Sequence, residues 1–324
     1  MKVFLATAGL PRERSAILDW ELLAARDTAR RHVLTGDPDD ADIVLFTDCN
    51  QLAPDWRLSA IRDAPVTRRF RDKVYVYDQQ DRPWCAFPGA YVSMPAPHFE
   101  ARYQVAVGYL PVPGSRVRDS TCFHRGTPDL LVSFVGSPTH PARARLFEAR
   151  HPRGVFTRVD RFLVFDVAAP DYRARQAQFL ETLSRSKFVL CPRGHGTSSF
   201  RLYETMAAGR VPVIIADEWV PPRGPEWERC SVRWPERAPV DALFARLEAL
   251  EPEAEEMGQR ALATFREWFD EPVVFDRIIS ALERLVAAEA AVRFPLHGVR
   301  GRAYARLAAA RARSRVRARL AGHV

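Results

Sequence analysis

Residues 186–217, SKFVLCPRGHGTSSFRLYETMAAGRVPVIIAD, constrain the fold more tightly than any other part of the chain. Residues 187–191 form a mostly apolar run around Phe188 and Val189, the pattern of a parallel strand covered on both faces. Pro192 stops it, and Arg193, Gly194, His195 and Gly196 make a loop whose backbone can come close to a ligand. Ser198 or Ser199 can N-cap a helix over residues 200–208, and Gly209 stands where a C′ residue belongs. Residues 211–215 are the next buried strand, with Pro212 tolerable near its start. Strand, loop, helix and strand in that order predict an α/β chain.

A helix N-terminus behind a glycine-bearing loop is an anion site, because its first N–H groups lack intrahelical partners. Arg193 and Arg201 add full positive charges there, and Glu204 lies one turn beyond Arg201 on the same helix face. A carboxylate repels phosphate, so Glu204 suits sugar hydroxyls. A ribose and a diphosphate together make a nucleotide. The plainer alternative is an ordinary βαβ unit with Arg201 and Glu204 as a surface ion pair.

The same residues resemble the C-terminal domain of the exostosin-like, GT47-type glycosyltransferases. The resemblance runs through Ser186-Lys187-Phe188, Leu190-Cys191-Pro192-Arg193-Gly194, Ser199-Phe200-Arg201, Glu204, Gly209 and the run 211–217 that ends at Asp217. It continues downstream at Trp227, Ser231-Val232 and Glu236, and upstream at Phe134-Val135-Gly136 and Arg143. It is specific over residues 130–240 and looser at 88–93, where Gly89 and Tyr91 stand.

This resemblance implies a GT-B-type architecture, two Rossmann-like domains facing a cleft, to which the composition from Arg293 onward adds a basic helical C-terminal tail. Residues 1–125 would form the acceptor side and residues 126–285 would bind the nucleotide-sugar. A return helix and the Arg-rich tail would occupy residues 286–324. It also implies metal-independent, inverting transfer from a nucleotide-sugar, foremost a UDP-sugar, to a hydroxyl of a glycan, lipid-linked or small-molecule acceptor. No cofactor beyond the donor is implied. Glu204 would hold the ribose, and Arg143, Arg193 and Arg201 would stabilise the departing diphosphate. Gly136, Gly194, Ser198, Ser199 and Asp217 complete the expected donor set, with Gly89 and Tyr91 on the acceptor side. Inversion asks for one general base on the acceptor hydroxyl, and Asp48, Asp81 and His195 are the candidates.

At 324 residues, 47% of them hydrophobic, the chain can build two ordinary cores. Its net charge of +8 favours acidic partners. Five scattered cysteines with no C-x-x-C pair argue against a zinc ribbon or a disulfide framework and for a reducing compartment. The apolar run at the N-terminus is too short for a signal peptide, and no stretch approaches the ~18 apolar residues of a membrane span. A cytoplasmic enzyme is therefore expected, unlike the membrane-anchored animal members of the family. Asp37-Pro38-Asp39 has D-x-D spacing, but it precedes its strand and holds a proline, so it reads as a turn and not a metal motif. There is no P-loop, no H-E-x-x-H and no G-x-S-x-G, and Gly194-x-Gly196 lacks the third glycine of a dinucleotide fingerprint.

Along the rest of the chain, strands are expected at 2–6, 43–46, 74–77, 103–110, 130–135, 161–167 and 229–234. Asp48 stands just past the strand 43–46, at the end where α/β sheets bind ligands. A helix over 15–31 would bury Ile17, Leu18, Leu22 and Ala25, with Ser15 as N-cap. Residues 82–89 read as an aromatic loop, and 111–128 as the inter-domain segment. Further helices are expected at 142–149, 172–185, 240–250, 253–269 and 274–292. Arg143 in the first turn of its helix opposes the dipole, a placement that makes sense beside an anion. From Arg293 onward the tail carries nine arginines and no Asp or Glu. It reads either as a helix lying peripherally on an anionic membrane or as a solvated extension; nucleic acid is not an expected partner. The alternative function is a non-catalytic nucleotide- or glycan-binding protein, or a basic membrane adaptor, that keeps the fold.

Overall fold

The computed structural model describes residues 1–52, 55, 57–81, 84–111, 127–159 and 172–295. They divide into two units, Met1–Val107 with the chain from Ile278, and Gly108–Arg277. These bounds differ from the sequence-based ones at 125/126 and 285/286. Helix continuity carries the chain across the second bound, where a boundary cannot be seen in an unbroken apolar period.

In the first unit the strands are β1 (Lys2–Ala6), β2 (Val33–Leu34), β3 (Ile43–Phe46), β4 (Val74–Asp78), β5 (Gly89–Tyr91) and β6 (Gln104–Ala106). All pair in parallel, in the order β2-β1-β3-β4-β5-β6. Helix α1 (Ile17–Arg26) follows β1, and the short helices α2 (Ser59–Asp63) and α3 (Pro65–Arg69) precede β4. β3 and β4 are buried along their whole length, as their unbroken apolar runs require. Gly89, expected as the last residue of a loop, opens the strand 89–91 instead. A Cβ on Gly89 would lie 2.1 Å from the carbonyl oxygen of Val76, so only glycine lets β5 approach β4.

Helix α1 is shorter than expected and turned. It buries Ile17, Trp20 and Leu23, while Leu18 and Leu22 are about half exposed. The sequence-based face missed Trp20, the largest side chain there, which meets Tyr77 of β4 edge-on with ring centroids 5.1 Å apart.

The second unit holds β7 (Leu130–Gly136), β8 (Gly154–Arg158), β9 (Ser186–Pro192), β10 (Val211–Ile215) and β11 (Val232–Arg233), also all parallel, in the order β11-β10-β9-β7-β8. Its helices are α4 (Pro141–Glu148), α5 (Tyr172–Arg185), α6 (Phe200–Ala207), α7 (Trp227–Cys230), α8 (Val240–Leu250) and α9 (Ala254–Trp268). Helix α10 (Glu271–Ala287) crosses from this unit into the first, where α11 (Ala290–Arg293) follows. The period of two in β9 sets the layers. Phe188 and Leu190 pack with Leu243 and Leu247 of α8, whereas Val189 faces Leu180 and Leu183 of α5. Each such fully buried side chain contributes about 1.5–3 kcal/mol.

The β9–α6–β10 segment adopts the expected form. Gly209 takes φ +64° at the end of α6, and its carbonyl lies 2.4 Å from where a Cβ on Gly258 would stand, so α9 packs closely there. Pro212 lies before β11 begins pairing at Val213, so its missing N–H breaks no bond to that strand. The strand expected at 161–167 lies outside the described residues; among the described strands β8 at 154–158 holds the edge. The expected inter-domain segment lies largely outside them as well, and the Arg-rich tail almost wholly so.

Candidate functional site

The two sheets share one order. Counted from its own first strand, the first runs 2-1-3-4-5-6 and the second 2-1-3-4-5, the strand order reversing between strand 1 and strand 3. Open α/β sheets bind ligands outside the carboxyl ends of the strands at this reversal. In the second unit the reversal falls between β7 and β9.

A cavity of about 620 Å³ opens there, lined among others by Gly136, Thr139, Arg143, Phe179, Arg201 and Glu204. Gly136 ends β7, Thr139 lies in the following loop, Arg143 stands in the first turn of α4, and Arg201 and Glu204 lie on α6. The Arg201 guanidinium stacks over Phe179 of α5, 3.7 Å from the ring centroid, and its Nε lies 3.6 Å from Glu204 Oε2. Its Nη1 is buried with no hydrogen-bond partner, as is Thr139 Oγ1. Buried donors without acceptors are rare in native proteins, and two on one cavity wall mark a place for an acceptor-rich ligand.

Arg143 is held by the chain itself. Its Nε donates to the carbonyl of Arg193 at 2.9 Å, and its Nη2 to that of Pro192 at 3.1 Å. It thus bridges the carboxyl ends of β7 and β9 and orders the Arg193–Ser199 loop. Gly194 lies against this contact: a Cβ there would stand 3.4 Å from Arg143 Nη2 and 3.4 Å from Thr139 Oγ1, an ordinary van der Waals separation.

Arg193 faces two carboxylates and is not part of the cavity wall. Its Nη1 lies 3.4 Å from Glu218 and 3.7 Å from Glu236. Two carboxylates neutralise it, and Glu236 also accepts from the backbone of Asp217 while Asp217 accepts from that of Glu236, both at 3.0 Å. Asp217 therefore clasps a turn beside β10. Ser199 occupies the N-cap position of α6 without a side-chain cap bond, and Ser198 is buried beside it.

The base candidates differ in their surroundings. Asp48 is fully buried, its Oδ1 accepting from Ser15 Oγ at 2.7 Å and from the Ala16 amide at 2.9 Å. It fills the start of α1 at the reversal point of the first sheet, the place where the second unit leaves its cavity. Asp81 and His195 are exposed, and His195 is not part of the cavity wall of its unit. Gly89 and Tyr91 are buried in β5, the Tyr91 hydroxyl donating to the Phe87 carbonyl at 2.7 Å. Within the second unit the structure brings together Gly136, Arg143, Arg201 and Glu204 with Gly194 beside them, while Arg193, His195, Ser198, Ser199 and Asp217 are not part of the cavity wall. Phe179 and Thr139 complete the site unanticipated. Phe179 has the helical spacing of a core residue, and Thr139 sits in a loop without pattern.

Residues 37–39 form a turn as expected, with the Asp39 amide donating to Asp37 Oδ1 at 2.9 Å and Asp39 paired with Arg69 at 2.8 Å. Among the described residues no three His, Cys, Asp or Glu side chains are grouped to hold a metal ion. None of the described helices is long and apolar enough to cross a membrane.

Residues 129–250 match the Exostosin GT47 domain. Every cavity residue named above falls within that stretch, whereas Asp48, Asp81, Gly89 and Tyr91 fall outside it. The chain is 40% identical over 68 residues to the Exostosin-1 homolog of Caenorhabditis elegans, covering 20% of this chain and 17% of that protein. It is 35% identical over 57 residues to a probable glycosyltransferase of Arabidopsis thaliana, covering 18% of this chain and 11% of that one. The chain thus spans less than a fifth of the length of either relative. Looser likenesses join a glycosyltransferase from Rickettsia africae, at 9% identity and a TM-score of 0.44 over 88% of this chain and 98% of that one. Anabaena HepE in complex with UDP is similar at 14% identity and a TM-score of 0.37, over 87% and 99%. The GT47 motif lysine, Lys187, lies at the start of β9, opposite the cavity end, and pairs with Glu251 at 2.5 Å. Trp227, another motif residue, donates from Nε1 to the Pro222 carbonyl at 3.0 Å and meets Trp219 edge-on. These two motif residues serve the framework, while Arg201 and Glu204 face the cavity.

Proposed function

We propose that the chain is a glycosyltransferase whose nucleotide-sugar donor binds in the cavity of the second unit. One observation carries this reading: Arg201 and Glu204 line a cavity at the strand reversal together with buried donors that lack acceptors, inside a stretch that matches the GT47 domain. Glu204 accepts from the ribose hydroxyls. Arg201 Nη1 and Thr139 Oγ1 donate to the diphosphate, and Arg143 holds the loop that carries the neighbouring amides. In this reading the chain is of the GT-B type, with the acceptor on the first unit and a UDP-sugar as donor.

Charge develops on the diphosphate as the sugar departs, so donors fixed in advance lower the barrier. Removing one costs about 10²–10³ in turnover. Inversion follows from a direct displacement in which one base takes the acceptor proton. Asp81 and His195 are the exposed candidates; the buried Asp48 serves the start of α1. No metal is needed in this scheme, since the guanidinium groups supply the positive charge.

Calorimetric titration with UDP, GDP, CMP and ADP tests the reading. One nucleotide should bind, and Glu204→Gln should weaken it strongly without changing the melting temperature. If no nucleotide binds, the donor site fails and the non-catalytic glycan-binding alternative takes its place.

A further inference from the structure

The first unit has a cavity of its own, about 390 Å³, that the proposed chemistry does not use. Phe87 and Phe294 form its apolar wall, their rings stacked 6.4 Å apart at 14°. Arg62, Arg68 and Arg71 also line it, and no carboxylate does among its described walls. Arg68 and Arg71 are exposed, while Arg62 is half-buried with its guanidinium 5.9 Å from the Phe87 centroid. Thr67, only 4% exposed, lines the same cavity, and its Oγ1 has no hydrogen-bond partner. An isolated buried hydroxyl is costly, and three cations at an apolar pocket repel one another, so both features call for an anion with acceptor oxygens. The volume falls in the range of roughly 300–1,000 Å³ typical of small-molecule sites.

We propose that this cavity binds an anionic amphiphile, with a phosphate or carboxylate head among Arg62, Arg68, Arg71 and Thr67 Oγ1 and a hydrocarbon body against Phe87 and Phe294. The head exchanges water for charge-assisted hydrogen bonds, in which a guanidinium fork matches a phosphate or carboxylate. The body supplies affinity by burial. The site lies wholly in the first unit, so its existence is independent of nucleotide binding in the second.

The test is calorimetric titration of the full chain with decyl phosphate, decanol and inorganic phosphate. Decyl phosphate should bind about tenfold or more tightly than either partial probe, because each lacks one half of the recognition. The double variant Arg68→Ala/Arg71→Ala, altered only at exposed side chains, should weaken decyl phosphate about tenfold or more at an unchanged melting temperature. Thr67→Val, nearly the same shape without the hydroxyl, should weaken it more modestly. Displacement of decyl phosphate by vesicles containing phosphatidic acid, but not by phosphatidylcholine vesicles, would assign a membrane lipid as the source. Persistence of decyl phosphate in both would assign a soluble amphiphile. Equal binding of decanol and decyl phosphate, undiminished binding by the double variant, or no binding of decyl phosphate would overturn the proposal.

Discussion

Arg201 Nε lies 3.6 Å from Glu204 Oε2, one helical turn along α6, and both side chains are more than four-fifths buried at the cavity wall. The pair is too long for a direct hydrogen bond, so each side chain keeps capacity for a ligand. Phe179 fixes the guanidinium plane from the other side.

This arrangement separates charge from shape. Arg201→Lys keeps the charge but loses the planar fork and the stacking on Phe179. Nucleotide affinity should fall about tenfold or more, and turnover by about 10²–10³. Retention of full affinity in calorimetry would show that Arg201 does not touch the nucleotide.

Arg143 should act through the loop it holds. Arg143→Ala removes its hydrogen bonds to the carbonyls of Pro192 and Arg193, which should cost about 1–3 kcal/mol in chemical denaturation. The loop's amide protons should exchange faster with solvent. Unchanged exchange across residues 193–199 would refute a holding role.

Glu251 gives the chain a defined acid response. It accepts from Arg153 at 2.6 and 2.8 Å and from Lys187 at 2.5 Å, tying the turn after α8 to the β8 and β9 starts. Hydrogen bonds from Arg153 first, then Lys187, hold its carboxyl down to about 2 from an ordinary 4.5. A depressed folded-state value means that the stabilisation is complete above about pH 4.5 and is lost as pH falls towards about 2. Glu251→Gln should be less stable than the parent at neutral pH by about 1 kcal/mol, the ion pairs being partly screened. The two melting curves should converge as pH falls through that window. A constant difference down to about pH 2 would contradict the assignment.

Gly89→Ala should fail to fold or lose several kcal/mol, because its Cβ would meet the Val76 backbone at 2.1 Å and neither strand can yield. Near-normal stability by circular dichroism would mean that β4 and β5 are not packed as described.

Much of the second unit was legible in the chain. The run from Ser186 to Pro192, the helix 200–207 and the strand 211–215 announce themselves because a doubly covered strand is apolar throughout and Gly209 marks the helix end. Arg201 and Glu204 could be paired from spacing alone, since three residues along a helix is a local relation. Helix α1 shows the limit. Leu18 and Leu22 satisfied the helical period, but Trp20 packs inward, because the face that buries the most area is decided by what Tyr77 of β4 offers.

What the sequence by itself determined is therefore local: which runs become strands, where α6 begins and ends, and that one of its faces carries Arg201 and Glu204. Tertiary structure decided which expected ligands meet. Arg193 stands beside the same loop in sequence, yet its guanidinium lies near Glu218 and Glu236, 25 and 43 residues further on. Asp48 follows a strand just as a site carboxylate should, but Ser15 and the Ala16 amide, more than 30 residues earlier, donate to its Oδ1. Phe179 carries the spacing of a core residue, yet it stacks on Arg201 from a different helix. The physical reason is the same in each case. A side chain's partner is set by electrostatics and packing across elements that only the sheet order brings together, and no spacing along the chain encodes that encounter.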